Sequence, residues 1–500
     1  MYQHTVIFGT HLVLYQPMRS TFFACLLLLI SFSVAFGQRT PGLAGQWAGT
    51  LKLPNGGALP LLIAMQDANG RRTATLDVPS QGASGILVDQ VLVRGDSVLL
   101  AINTIKARYA GRLSADGRQM QGFWRQNNAR LPLTLVRSSV GAPPAAAAPA
   151  TSGRPGAKQN RPQEPVAPFP YREEEVKFTN RAGGVTLGGT LTVPPGAGPF
   201  PAVVLLSGSG AQDRDESVFG HRPFRVIADY LTRRGIAVLR FDDRGVGQST
   251  GNAKTATAGD YTTDAQAALA FLRTRREING KQLGLIGHSE GGTAAIAAAG
   301  QPQGPAFLVL LATPGVPGPD LITRQALDQA RLKTTNPKIL AGVEQRQRNL
   351  LGIVQRIADN NAAQAQLVAA LIPPIDLPPE QAAQIKAVAQ GQAALMVTPA
   401  YRYLLNDNPQ KTLKAVRCPV LALGGSKDLQ VASCVNLPAI EKTLKAVPNR
   451  DVTVKELPGL NHLFQTANTG GVGEYAQLEE TFSPTALKII GDWVTEHTKR

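Results

Sequence analysis

The chain has 500 residues, 43% hydrophobic and 17% charged, which provides core for two or three domains and excludes a disordered chain. Lys and Arg number 51 against 35 Asp and Glu, a formal charge of +16. That excess is spread without a run of five or six like charges or any nucleic-acid recognition motif, so nucleic-acid binding is not expected. A basic surface that aids solubility or adheres weakly to anionic envelope material is.

Met18-Arg19 precedes the apolar run FFACLLLLISFSVAF, and Ala35-Phe36-Gly37 supplies small residues at a cleavage spacing. Residues 1–37 therefore read as a secretory signal peptide, with Met18 the expected start and Gln38 the first mature residue. The run is short for a membrane span. The expectation is a secreted or periplasmic protein without a stable span after cleavage. Cys25 lies too early in the run for a lipoprotein cleavage site. Of the other two cysteines, Cys418 opens the strand PVLALGG and Cys434 lies past its far end. About 20 Å of strand separates those ends, against a Cα limit near 7 Å for a bridge, so no disulfide is expected.

Residues 38–138 alternate apolar and polar side chains between turns at Pro54-Asn55-Gly56-Gly57, Ala68-Asn69-Gly70, Arg94-Gly95-Asp96 and Ala115-Asp116-Gly117. Short strands at regular spacing predict a small antiparallel sandwich or barrel, with the aromatics of GQW (45–47) and GFW (122–124) in its core. No catalytic constellation falls there. Residues 139–168, rich in Pro and Ala, read as a mobile linker.

From residue 169 to 500 apolar strands alternate with amphipathic helices: PAVVLL, IAVLRF, KQLGLIGHS, AFLVLL, PVLALGG and DVTVKEL. Strands without polar alternation, joined by helices, make a parallel sheet covered on both faces. The Ala/Gln-rich block at about 316–415 is too long for a connection and reads as an inserted helical cap.

Gly287-His288-Ser289-Glu290-Gly291 interrupts a strand-like run just before a helix-like one. The pattern has the form of a nucleophile elbow, although 50 glycines in the chain make the bare pattern weak. Its partners give it weight. PVLALGG ends at Ser426-Lys427-Asp428 and DVTVKELPGL ends at Asn461-His462. Ser, Asp and His thus follow in α/β hydrolase order, each after a strand of one sheet. Ser289 is the expected nucleophile, His462 its base and Asp428 the carboxylate that orients the imidazole. Asp407 and Asp451 are rivals for that carboxylate, better read as cap or turn residues. The backbone N–H of Glu290, at a helix N-terminus, is the expected first oxyanion donor. The second falls in the loop Ser207–Gly210, at Ser209 or, failing that, Gly210. His288 reads as structural, and His221 and His497 as solvent-facing. Asp213-Arg214-Asp215 and Asp242-Asp243-Arg244 read as loop-bracing ion pairs. No metal-ligand spacing, phosphate loop or dinucleotide fingerprint appears, so no cofactor is expected.

Taken together, SGSGAQDRDE, FDDRGVGQS, GHSEGG, LGGSKDLQV and GLNHLFQ make the chain resemble the secreted bacterial carboxylesterases of the EstD type, in the α/β hydrolase superfamily. The resemblance extends over nearly all of residues 170–500, and LDVPSQGASG extends it to the amino-terminal block. Ala211 stands where a proline is usual after GSG. The resemblance implies an α/β hydrolase fold and ester hydrolysis with Ser289, Asp428 and His462 as the triad. The cap's own residues set the expected substrate: its charges nearly balance, and its apolar stretches LVAALIPPI and QAALMV are divided between pocket wall and packing against the core. Small or moderately apolar uncharged esters with short acyl chains are therefore expected. A serine peptidase of the prolyl-oligopeptidase or dipeptidyl-peptidase kind shares the triad order. A non-catalytic envelope-binding protein is the third reading.

Overall fold

The structure is a computed structural model that describes residues 43–52, 58–68, 71–78, 83–126, 129–137, 161–372, 379–448 and 451–499. The signal peptide read at 1–37 with its Cys25, the turn at 54–57 and the linker up to residue 160 lie outside the described residues.

Nine antiparallel strands come first: β1 (Gly45–Lys52), β2 (Ala58–Ala68), β3 (Arg71–Val78), β4 (Ala83–Val88), β5 (Gln90–Arg94), β6 (Ser97–Ile102), β7 (Ala107–Leu113), β8 (Gln119–Gln126) and β9 (Ala129–Arg137). Their order is β4-β3-β2-β1-β9-β8-β7-β6-β5. The sheet curls until β4 lies against β6 and β3 against β5, which makes it barrel-like. Period-two alternation sends Trp47, Ile63, Leu76, Tyr109, Met120 and Trp124 into one core. The Trp47 indole N–H donates to the Leu43 carbonyl at 2.9 Å. Phe123, expected inside, lies on the opposite face and is 37% exposed, because it sits one residue out of phase with Trp124.

The segment read as a mobile linker is pinned at Arg161–Glu164, the first of its described residues. Arg161 donates to the carbonyls of Leu478, Ala476 and Phe219. The Gln163 side chain bonds the Phe482 carbonyl and the Thr481 amide, each at 2.6 Å.

The second sheet contains β10 (Arg172–Asn180), β11 (Val185–Val193), β12 (Phe200–Leu206), β13 (Ala237–Phe241), β14 (Ile278–His288), β15 (Phe307–Leu311), β16 (Val420–Gly425) and β17 (Val452–Leu457). The order is β10-β11-β13-β12-β14-β15-β16-β17, parallel from β13 to β17. This is an α/β hydrolase sheet. Strand β12 shows why its strands lack polar alternation: Ala202, Val204 and Leu206 enter one core while Val203 and Leu205 enter the other. The first core is closed by α2 (Ala258–Arg273), α3 (Glu290–Ala299) and α10 (Ser433–Lys445), the second by α1 (Pro223–Thr232) and α11 (Pro484–Thr498). The chain runs from β12 to β13 on one side and returns as β14 on the other. That reversal opens a crevice at the carboxyl ends of β12 and β14, the place where open α/β sheets bind ligands.

Between β15 and β16 lie α4 (Gly318–Arg331), α5 (Pro337–Arg356), α6 (Asn360–Leu371), α7 (Pro379–Met396), α8 (Pro399–Asn406) and α9 (Pro409–Leu413). These helices have a core of their own, in which Leu351, Val354, Leu367, Leu371, Met396 and Val397 are buried. Helix α7 also reaches the first sheet, where Leu395 packs against its core. Asp89 of that sheet's β4–β5 turn pairs with Lys254 of the second half. No disulfide joins Cys418 and Cys434.

Candidate active site

The crevice is filled by the elbow. Strand β14, buried along its last six residues, ends at His288, and α3 starts at Glu290. Ser289 between them has φ 52° and ψ −120°, a backbone that L-residues avoid unless their surroundings impose it. Two hydrogen bonds impose it: the Ser289 N–H donates to the Leu311 carbonyl at 2.8 Å, and its carbonyl accepts from Gly292 at 3.0 Å. The serine is therefore fixed at the head of the sheet, 9% exposed.

Asp428 follows β16. One carboxylate oxygen accepts from the amides of Gln430 and Val431 at 2.8 Å each, which sets the direction of the other. That second oxygen bonds His462 Nδ1 at 2.8 Å, with both residues buried. Asn461 shapes the His462 loop by accepting from the amides of Leu463 and Gln465. Asp407 and Asp451, the rival carboxylates, lie elsewhere: Asp407 at the end of α8, Asp451 against His497.

Three loops meet at His288, the neighbour of the serine. Its Nε2–H donates to the His462 carbonyl at 3.0 Å, and its Nδ1 bonds Glu216 at 2.8 Å. The same Glu216 oxygen accepts from the Gly208 amide at 2.6 Å. Glu216 therefore joins the loop after β12 to the elbow, and His288 joins the elbow to the His462 loop. Burial works against charging this imidazole, but the charge and hydrogen bond of Glu216 outweigh it and hold the His288 pKa above its usual value. A histidine raised in the folded state contributes stability that is present below its unfolded pKa, near 6.5, and lost as pH rises through the folded value. Glu216→Gln should therefore lower the melting temperature most near pH 5–6, with the gap to wild type narrowing as pH rises. A gap independent of pH between 5 and 9 would remove the ion pair from this account.

The loop after β12 is anchored at both ends by Asp243. Its carboxylate accepts from the Ser207 hydroxyl and from the Gln212 amide, both at 3.0 Å, and burial pushes its pKa well up. With Gly208 and Gln212 so engaged, the amides of Ser209, Gly210 and Glu290 have no acceptor among the described residues. Asp242 and Arg214 form a two-pronged ion pair, and Arg244 pairs with Asp264 and Asp260. Asp215 pairs with Arg240. These are the loop braces expected from the sequence, except that Asp213 and Asp243 act by hydrogen bonds instead of ion pairs, Asp213 accepting from the amides of Asp215 and Ser217 at 3.0 Å each.

Two histidines depart from expectation. His221 is buried, bonded to Thr481, the Tyr475 carbonyl and Gln465, and burial pushes its pKa down to about 4. The loop after β17 folds over it, a long-range event its local sequence does not signal. His497 stacks on Trp493 one helical turn earlier, at 3.8 Å, and meets Asp451 at 3.1 Å. Sequence reasoning also missed Glu216, whose only local sign was a further acid in the loop bearing the expected oxyanion donors.

Known proteins are similar to parts of this chain. The family described as Serine aminopeptidase, S33 (Hydrolase_4) matches residues 222–366. Esterase EstD of Thermotoga maritima is 28% identical over 303 residues, 60% of this chain and 61% of its own length. The chain thus spans less than two thirds of that relative. The uncharacterized protein YfhR of Escherichia coli O157:H7 is 31% identical over 134 residues, 27% of this chain and 44% of its own. Among solved structures, the Pyrococcus furiosus esterase Pf2001 aligns with 69% of this chain and 99% of its own at 17% identity and TM-score 0.40.

Beyond the serine, the Glu290 carboxyl is pushed up to about 7 by desolvation, with the charge of Asp407 adding to it. Tyr403 of α8 stands nearby, its ring 3.2 Å from where a side chain on Gly259 would begin. Of the stretches LVAALIPPI and QAALMV, divided in expectation between pocket wall and packing, Leu367, Leu371, Met396 and Val397 fall on the packing side, buried in the inserted block's own core; residues 373–375 lie outside the described residues.

Proposed function

We propose that the protein is a carboxylic ester hydrolase that works through an acyl-enzyme on Ser289. The observation that carries this reading is the 2.8 Å bond from Asp428 to His462 Nδ1, reached from strand ends beside a serine held at φ 52°. Asp428 fixes the tautomer in which His462 Nε2 is free to accept a proton. Ser289 Oγ attacks the ester carbonyl as His462 takes its proton, and the tetrahedral oxyanion is met by the N–H groups of Glu290 and of Ser209 or Gly210. The alcohol leaves with the proton from His462. Water then attacks the acyl-enzyme by the same route in reverse. Donors already oriented before reaction need no reorganisation as charge develops. The similarity to Esterase EstD favours an ester over the aminoacyl substrates of a peptidase.

A fluorophosphonate probe should label the wild-type chain on Ser289, and p-nitrophenyl acetate should turn over far faster than Xaa-Pro or aminoacyl anilides. Anilide turnover exceeding ester turnover would replace this reading by the peptidase one.

In the same reading the inserted helices act as a cap, and Tyr403 of α8 is the residue proposed to face the site. It packs over Gly259, and its pKa is raised by burial and then by the charges of Asp407 and Glu290, which are near enough to act on it. Small uncharged esters with short acyl chains are the proposed substrates. Tyr403→Ala should raise kcat/KM for butyrate relative to acetate esters, by at most about 1–3 kcal/mol per methylene. An unchanged ratio would move the specificity element to the loop at 207–215.

A further inference from the structure

The hydrolase reading leaves the outer face of the first sheet without a role. Register across its last five strands pairs Pro132 with Phe123, Phe123 with Ala110, Ala110 with Leu99 and Leu99 with Leu92. These residues form an apolar stripe perpendicular to the strands, about 19 Å long at the usual strand spacing of about 4.8 Å. Leu92 and Phe123 are 52% and 37% exposed, where such a sheet would ordinarily present polar groups.

Arginines border the stripe on both sides. One flanking row runs Gln121, Arg112, Ser97, Arg94, and the other runs Arg130, Arg125, Arg108. All five arginines are exposed. Strands β5 to β9 contain no Asp or Glu at all. Asp96, in the β5–β6 turn, meets Arg112 at 3.5 Å with both side chains more than half exposed, a pairing of little strength. Arg130 lies over the Phe123 ring at 3.5 Å, which holds the ring in place and desolvates part of it. On the Arg94–Arg112 side of the stripe is a groove of about 690 Å³, lined by Leu92, Leu99, Ala110, Gly122 and Phe123 together with Arg94 and Arg112; the row of Arg108, Arg125 and Arg130 borders the stripe on its other side.

We infer that this groove binds an anionic polysaccharide of the polyuronate kind. Its sugar rings present C–H faces to an apolar floor, and the carboxylates on their edges reach arginines on either side. The floor is one residue wide and its side chains are shorter than the arginines around them, so it fits a single extended chain. A bilayer would require apolar groups standing above the cations. A single-stranded nucleic acid would require a series of aromatic platforms, and Phe123 is alone in the stripe. Opposite charge on both walls supplies attraction and makes binding sensitive to salt.

The test uses the full chain in titration calorimetry at low ionic strength, with sodium polygalacturonate, neutral dextran, phosphatidylglycerol vesicles and oligo-dT as probes. Polygalacturonate should bind and dextran should not. Phe123→Ala, the pair Arg94→Gln with Arg112→Gln, and the pair Arg125→Gln with Arg130→Gln should each weaken binding about tenfold or more, as should physiological salt. Melting temperature and p-nitrophenyl acetate turnover should stay at wild-type values, since these side chains are exposed and belong to the other sheet. The inference is overturned by absence of polygalacturonate binding, by equal affinity in all three variants, or by tighter binding of vesicles or oligo-dT. None of these outcomes bears on ester hydrolysis at Ser289.

Discussion

Ser289→Ala should lower kcat on p-nitrophenyl acetate by about 10⁴-fold or more, and fluorophosphonate labelling should disappear with it. The size follows from the covalent step: without Oγ no acyl-enzyme forms, and only the oxyanion donors and substrate binding remain to act on water. His462→Ala should cost about as much, and the double variant little more than either, because nucleophile and base act as a unit. Asp428→Asn should cost about 10⁴-fold through the wrong imidazole tautomer. Alanine keeps the Cβ, so it keeps the unfavourable backbone at φ 52°. Ser289→Gly should therefore be equally inactive yet more stable than Ser289→Ala, by about 1 kcal/mol. Residual turnover within tenfold of wild type in Ser289→Ala would remove this serine from the mechanism.

Much of the site was legible because its chemistry sits where strands end. A parallel strand buried on both faces writes itself as an apolar run, as in LGLIGH and PVLALGG; the edge strand VTVKEL, with Lys455 and Glu456 exposed, does so only in part. Whatever polar residue follows such a run emerges at the sheet's carboxyl edge. Ser289, Asp428 and His462 each follow one, and their order needed no knowledge of the distances. The 2.8 Å contact between Asp428 and His462 was implied by β16 and β17 being neighbours.

What stayed hidden depends on contacts between segments far apart in sequence. Glu216 and His288 are 72 residues apart, and a carboxylate in a loop gives no sign of which imidazole it will meet. Arg161 is bonded to carbonyls more than 300 residues away, so a Pro-rich stretch that reads as linker is partly a strap. The apolar residues of the inserted helices could not be divided between pocket wall and core by composition, since both need the same side chains. The outer stripe of the first sheet was hidden for the opposite reason. Each exposed apolar residue is unremarkable alone, and only the register across five strands aligns them.

Gly291→Ala should destabilise the protein by about 1–3 kcal/mol and lower kcat/KM by about 10²-fold. By helix propensity alone the change should stabilise, since alanine in a helix interior is about 1 kcal/mol better than glycine. Packing reverses the sign. A Cβ on Gly291 would stand 2.2 Å from the Leu206 carbonyl oxygen and 2.5 Å from that of Ser207, both backbone atoms that no rotamer change can move. Either α3 retreats from β12 or the loop from Ser207 to Gly210 shifts. Both movements separate the Glu290 amide from the Ser209 amide, the two proposed oxyanion donors, and donors must match the developing charge to within a fraction of an ångström. Gly342 in α5 provides the control, because a Cβ there meets nothing within 4 Å. Gly342→Ala should raise the melting temperature slightly and leave kcat/KM unchanged. If both substitutions stabilise and both leave turnover intact, close approach of α3 to β12 is not what positions the donors, and the Glu216–His288 link becomes the stronger candidate.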